Sequence, residues 1–294
     1  RILILNTLSS EERNALKDSV SKLMSDASTE AEVRRVMETA QGFDLDLWRA
    51  LSEMGVIGLI TDEKFGGSGV GPMELEAVME ETGAALLCSP LLASGVIAAE
   101  LLQALGDETL NADLMPRVAT GETIASAVIT GDRGCWTESG VDISATALEG
   151  GWQLEGRGNY VLHAQNADVL IVIANTESGL AAYAVDPSDD AVQIEALPTL
   201  DRTLRIASVR FSGASAKQIN ATRPVWEAVS QALNLALVAL AGEQAGGAKK
   251  VLDFTVEYAK TRIQFGRQIG SFQAIKHMAA DLLVETESAI SAAR

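Results

Sequence analysis

Apolar residues recur at helical spacing from Ser9 to about Thr120. Leu47, Leu51 and Met54 fall at i, i+4 and i+7 before Gly55 ends their run, and Ser9-Ser10-Glu11-Glu12 has the composition of a capped helix start. An N-terminal third of helices joined by short loops is predicted. From about Gly121 to Gln218 the period changes to two, in the runs Ile124 to Thr130, Trp152 to Gly156, Val169 to Ala174 and Ala181 to Asp186. Gly150-Gly151, Gly156 and Asp186-Pro187 punctuate these runs, so a β domain is expected. From Val225 the helical period returns. Ala232 to Ala248 is apolar apart from Asn234, Glu243 and Gln244, which predicts a helix buried nearly all round. A further helix is expected from about Ser271 to Arg294, with no cap or breaker at its end. The expected fold class is α+β: a helical domain over 1–120, a β domain over 121–222 and a helical domain over 223–294.

Thr82 to Ala99 carries no charge and approaches the roughly 18 apolar residues of a membrane helix. Pro90 sits in its middle, Ser89 and Ser94 interrupt it, and Glu80, Glu81 and Glu100 flank it. Two buried helices joined near Ser89-Pro90 are therefore expected rather than a span.

The 294 residues suffice for about two domains at ~150 residues each. A net charge of −17 disfavours nucleic acid and anionic lipid as partners, and 47% apolar residues exclude disorder. Cys88 and Cys135 are too few for a disulfide framework or a cysteine-rich zinc site, which suits a reducing, cytoplasmic compartment. The apolar stretch Arg1 to Leu5 is too short for a secretory signal. The loop Glu63-Lys64-Phe65-Gly66-Gly67-Ser68-Gly69 lacks both the Lys-Ser/Thr ending and the preceding strand of a phosphate-binding loop, and reads as a chain reversal between helices.

Within this acidic chain, residues 249–276 contain Lys249, Lys250, Lys260, Arg262, Arg267 and Lys276 against Asp253 and Glu257. A local cationic patch in an acidic protein points to an anionic ligand. Its centre runs from Tyr258 through Arg262-Ile263-Gln264-Phe265-Gly266 to Ser271-Phe272-Gln273. Here the chain resembles the acyl-CoA dehydrogenase family, whose hallmark is an Arg-x-x-Phe-Gly turn followed by a Phe-Gln pair opening the next helix. Arg262, Phe265, Gly266, Phe272 and Gln273 match in identity and spacing. Leu47-Trp48 through Gly55, Gly58-Leu59, Phe65 to Gly69 and Glu80-Glu81-Thr82-Gly83 are similar to the family's N-terminal domain. Leu197 to Asp201 with Val209-Arg210-Phe211 are similar to the end of its middle domain.

The resemblance covers nearly the whole chain. It implies an N-terminal helical domain, a β-barrel-like middle and a C-terminal helical bundle, incomplete in this sequence. It also implies oxidation of an acyl-CoA thioester to its α,β-enoyl form with FAD as hydride acceptor. A homo- or hetero-oligomer with a related subunit and an electron-transfer acceptor protein are the implied partners. A guanidinium presents a planar fork of donors to a diphosphate. Arg262 is thereby assigned to the FAD pyrophosphate, Phe265 to the adenosine half and Gln273 to further hydrogen bonds, on the flavin of a neighbouring subunit.

The chain departs from the family in its middle domain. In place of Thr-Glu-Pro and Gly-Ser-Asp it has Ile129 to Cys135, where Thr130 alone matches. In Gly156-Arg157-Gly158-Asn159-Tyr160-Val161-Leu162, Tyr160 keeps the aromatic face expected against a flavin, while Gly158 stands for the family's Lys. The base for α-proton abstraction sits, in some members, 26 residues before the arginine, where this chain has Ala236. Most members carry it near the C-terminus, in a segment this sequence does not contain, so the base is expected either outside this chain or at Glu243, two turns beyond Ala236 on the same helix face, whose alternative is a structural pairing. His163 and His277, in different domains, suggest no metal site. Cys135 reads as a packing residue, and Trp48, Trp136, Trp152 and Trp226 as core or interface anchors. A catalytically silent partner subunit, an acyl-CoA oxidase and a flavin monooxygenase remain alternative readings of the same scaffold.

Overall fold

A computed structural model describes residues 7–294; the stretch Arg1 to Leu5 lies outside the described residues. The helices are α1 (Ser10–Ala27), α2 (Glu30–Val36), α3 (Leu45–Glu53), α4 (Pro72–Ala84), α5 (Ala99–Leu105), α6 (Glu108–Ala119), α7 (Val225–Thr261) and α8 (Gln273–Ala293). A π-helical stretch, Leu91–Ala98, runs directly into α5. The strands are β1 (Ala125–Val128), β2 (Ser144–Leu148), β3 (Gly151–Leu162), β4 (Val169–Thr176), β5 (Gly179–Val185), β6 (Val192–Ala196), β7 (Ile206–Ile219), β8 (Ile263–Gln264) and β9 (Arg267–Gln268). Two compact units result. One holds Arg34–Gly71 and Cys88–Ala236, the other Thr7–Val33, Pro72–Leu87 and Leu237–Arg294.

The first unit is organised by a seven-stranded sheet in the order β1-β4-β2-β3-β7-β5, with β6 on β7. Because β5 also pairs with β4, strands β4, β2, β3, β7 and β5 form a closed ring. Closure gives each of these strands an inward face, filled by Leu154, Val172, Tyr183 and Phe211, all fully buried. Trp152 packs on Tyr183 with ring centroids 5.3 Å apart. Strict alternation fails in β3, where register shifts fall between Leu154 and Glu155 and between Gly158 and Val161. β2, β6 and most of β7 carry no clear period-two signal: β2 and β6 are short and mostly exposed, and β7 contains Gly213 and several small residues. The expected Gly-rich reversal is present, with Gly66 and Gly69 at φ 85° and 62°. Trp48 anchors α3, its indole Nε1 donating to the Gly121 carbonyl at 2.9 Å.

In the second unit α1 opens with the capping box expected from its sequence. Ser9 N donates to Glu12 Oε2 at 2.9 Å and Glu12 N to Ser9 Oγ at 3.2 Å. Arg13 donates to the fully buried Glu74 Oε1 from Nε and Nη2, at 3.0 and 2.9 Å, tying α1 to α4. α4 and α7 meet backbone to backbone at glycines: a Cβ on Gly242 would approach the Glu76 carbonyl oxygen to 2.7 Å, and one on Gly246 the Glu80 carbonyl oxygen to 1.8 Å.

The expectation that Ala232 to Ala248 is buried nearly all round is corrected. Ala232, Ala236, Ala239, Ala245 and Gly246 are buried, whereas Asn234, Leu237, Gln244 and Ala248 are exposed. The physical reason is that apolar composition does not choose a face; small residues on one side allow close approach, and the larger ones are left outward. α7 is the one helix among the described residues long and apolar enough to cross a membrane by length and composition, and 39% of its most apolar stretch is buried. α8 begins at Gln273, two residues later than expected, because Gly270 and Ser271 lie in a 3₁₀ turn.

Candidate functional site

The cationic patch folds into a hairpin between α7 and α8. β8 and β9 pair antiparallel, and Phe265 and Gly266 form the two-residue turn with φ 53° and 74°. A turn with both central φ positive suits Asn or Gly; an aromatic residue there is strained. Phe265 is also 92% exposed. A strained, outward ring does nothing for the core, and such outliers concentrate at contact sites. The ring lies edge-on to Phe272 at 6.1 Å, and the Arg267 guanidinium covers Phe272 at 4.0 Å.

Arg262 is held by its backbone. Its N–H donates to Tyr258 O at 2.8 Å, and its carbonyl accepts from Ile269 N at 2.9 Å. Its exposed side chain makes no hydrogen bond or ion pair among the described residues, whereas neighbouring Lys260 is tied to Glu257 at 2.6 Å. Gln273, first in α8, is exposed, with a 3.5 Å contact from Nε2 to His277 Nε2. The fold thus gathers Arg262, Phe265 and Gln273 on one hairpin and helix start. An uncommitted guanidinium, a carboxamide and an outward aromatic form a donor set that fits a diphosphate with an attached ring.

Thr130 and Tyr160 lie in the barrel unit and adjoin one another, Asn159 N donating to Thr130 O at 2.8 Å. Thr130 is 2% exposed, and its hydroxyl donates to Cys135 O at 2.9 Å. The loop after it closes on itself: Gly131 N donates to Gly140 O at 2.9 Å, Gly134 N to Gly131 O at 3.0 Å and Asp132 N to Asp142 Oδ2 at 3.0 Å. These three amides are therefore engaged internally. Tyr160 occupies the β3 bulge at φ 57°, half-exposed, with its ring over Gly134, where a Cβ would stand 2.8 Å from Tyr160 Cε2. Gly158 is explained by packing, since a Cβ there would meet Val128 Cγ1 at 2.1 Å. The residues of the hairpin fit the diphosphate half of FAD, while in the middle-domain loop the Thr130 hydroxyl and the Gly131, Asp132 and Gly134 amides are already taken by protein partners.

Glu243 is only half-buried on α7, not enclosed as a run of apolar neighbours suggested, and Ala236 is buried two turns earlier. His163 is 1% exposed; burial first, and then the Arg205 cation, push its pKa down to about 4. Burial likewise pushes the Cys88 thiol up to about 11, whereas Cys135 is exposed. No cluster of three or more metal-ligating side chains occurs among the described residues. The sequence alone singles out neither Arg157 nor Arg210, which the β3–β7 register places directly opposite one another. Strand pairing is a property of two distant segments, and no local signal carries it.

Two family profiles match the chain: the acyl-CoA dehydrogenase N-terminal domain over residues 10–122 and the acyl-CoA dehydrogenase C-terminal domain over 226–294. Acyl-CoA dehydrogenase IpdE2 of Mycolicibacterium smegmatis is 34% identical over 282 residues, covering 95% of this chain and 75% of the relative. The crystal structure of the ChsE4-ChsE5 complex from Mycobacterium tuberculosis contains a chain that is 28% identical, with a TM-score of 0.84, over 97% of this chain and 78% of that one. A glutaryl-CoA dehydrogenase from Mycobacterium smegmatis, solved in complex with FADH2, shares the fold at a TM-score of 0.89 and 19% identity, over 97% and 75% of the two chains.

Proposed function

Because the chain belongs to the acyl-CoA dehydrogenase family, we propose that it serves as a subunit in the α,β-dehydrogenation of an acyl-CoA thioester. FAD is the family's cofactor and, when bound, accepts the hydride from the β carbon. The observation that carries the proposal is the exposed group formed by Arg262, Phe265 and Gln273. Arg262 donates its fork to the diphosphate, Phe265 packs against the adenosine half, and the Gln273 carboxamide adds hydrogen bonds. Tyr160 offers an aromatic face beside Thr130, and Glu243 is the base candidate within this chain. Domains over 1–120, 121–222 and 223–294 divide these roles. Outward apolar side chains on α7 and α8, among them Leu237, Phe254 and Met278, support an oligomer.

A second reading is favoured by a specific observation: the Thr130 hydroxyl and the Gly131, Asp132 and Gly134 amides are already hydrogen-bonded to protein partners. In this reading a related chain seats the flavin ring and supplies the base, and the present chain lends the Arg262 hairpin. Likeness to a chain of the ChsE4-ChsE5 complex supports it. The flavin absorbance of the purified chain separates the two. One FAD per chain, with enoyl-CoA formed by that chain alone, supports the self-sufficient subunit. A colourless chain that retains flavin once its partner is added supports the lending role. No flavin in either state refutes both.

A further inference from the structure

On the outer face of the barrel, β3 and β7 set Arg157 directly opposite Arg210. Side chains so paired leave the sheet on the same face with Cβ atoms about 5 Å apart, where like charges repel. The usual relief, a carboxylate for each, is incomplete. The Arg210 side chain makes no hydrogen bond or ion pair among the described residues, and Arg157 Nε is buried without a partner. Arg157 Nη1 reaches Asp132 Oδ1 only at 3.9 Å, and that oxygen already accepts from Asn159 Nδ2 at 2.7 Å. Arg157, Arg210 and Ser212, together with Asp132 and Glu155, line a cavity of about 170 Å³. That is several times the ~30 Å³ one water occupies in the liquid. Gly156, at φ 126°, keeps its floor thin; a Cβ there would stand 2.6 Å from the Asp142 carbonyl oxygen.

We propose that this cavity binds a phosphate group, held between Arg157 and Arg210 with Ser212 as an additional donor. Paired guanidinium forks match the oxygens of a phosphate, and a bound dianion would offset the repulsion that the strand register imposes. Glu155, opposite Ser212, and Asp132 line the same cavity and set the limit of affinity, because their carboxylates repel the same ligand. The site lies wholly within the barrel unit, uses none of the Arg262 hairpin, and stands whether or not the chain handles FAD. The phosphate belongs either to the nucleotide end of a CoA thioester or to free inorganic phosphate.

The test titrates the purified chain with inorganic phosphate, against sodium chloride of matched ionic strength, by calorimetry and phosphorus NMR. The expected result is saturable phosphate binding, weakened roughly tenfold or more in Arg210→Gln and tightened in Glu155→Gln. Arg210 is exposed, so its replacement leaves folding intact; equal melting temperatures verify this. Absence of binding beyond the chloride control overturns the proposal, and so does an Arg210→Gln variant that binds as the unaltered chain does. Competition by CoA but not by dephospho-CoA assigns the site to the thioester's 3′-phosphate; competition by neither assigns it to free phosphate. Failure here leaves flavin retention through Arg262 untouched, so the two readings fail separately.

Discussion

Gly83 on α4 lies so close to Glu243 on α7 that a Cβ on the glycine would meet the Glu243 carbonyl oxygen at 2.1 Å and its carbonyl carbon at 2.6 Å. The obstacle is backbone, which cannot rotate aside. Gly83→Ala is therefore expected to destabilise the chain by about 1–3 kcal/mol, read from denaturant unfolding. Gly247→Ala is the control, because its nearest neighbour would be the Gly83 carbonyl oxygen at an ordinary 3.8 Å and alanine favours helix. Equal effects at the two positions would refute the close-packed seam.

His163 gives stability a defined pH dependence. Its folded pKa is depressed to about 4 from an ordinary 6.5, so the unfolded chain binds the extra proton between those values. Its contribution is intact above pH 6.5 and is lost as pH falls toward 4, by roughly 3 kcal/mol across the window. His163→Asn, which tolerates the φ of 53°, should flatten that part of the stability profile. Identical slopes in the two proteins would count against the assignment.

The start of α1 and the turn after Arg262 were legible in the sequence because their signals are local. Ser9 and Glu12 form the capping box that their spacing announces, and Arg262 to Gln273 is contiguous. What escaped depends on distant partners. The face that α7 buries is chosen by Gly242 and Gly246 meeting the α4 backbone, and the engagement of Thr130 is decided by a loop that folds back five residues later. The opposition of Arg157 and Arg210 exists only once β3 and β7 are paired.

The outward residues of α7 predict assembly. Val251, Phe254 and Tyr258 recur at i, i+3 and i+7, each more than half exposed. Light scattering is expected to give a mass above the 31.0 kDa of one chain. A stable monomer at micromolar concentration would contradict the oligomer proposed.

Glu243→Gln tests where the base resides. With Glu243 half-buried and Ala236 at the family's helix position, the reading in which a related chain supplies the base predicts that enoyl-CoA formation by the assembled protein persists. Loss of turnover by a hundredfold or more with flavin retained would instead make Glu243 the base.

The central claim, that the Arg262 hairpin holds the FAD diphosphate, is tested most directly by flavin retention in the assembled protein carrying Arg262→Ala. The side chain is exposed and contributes little packing, so the melting temperature of the flavin-free protein should not change. The FAD dissociation constant, measured by flavin absorbance and fluorescence, should rise roughly tenfold or more as charge-assisted hydrogen bonds are lost. An Arg262→Ala assembly that keeps FAD with unaltered affinity would contradict the account.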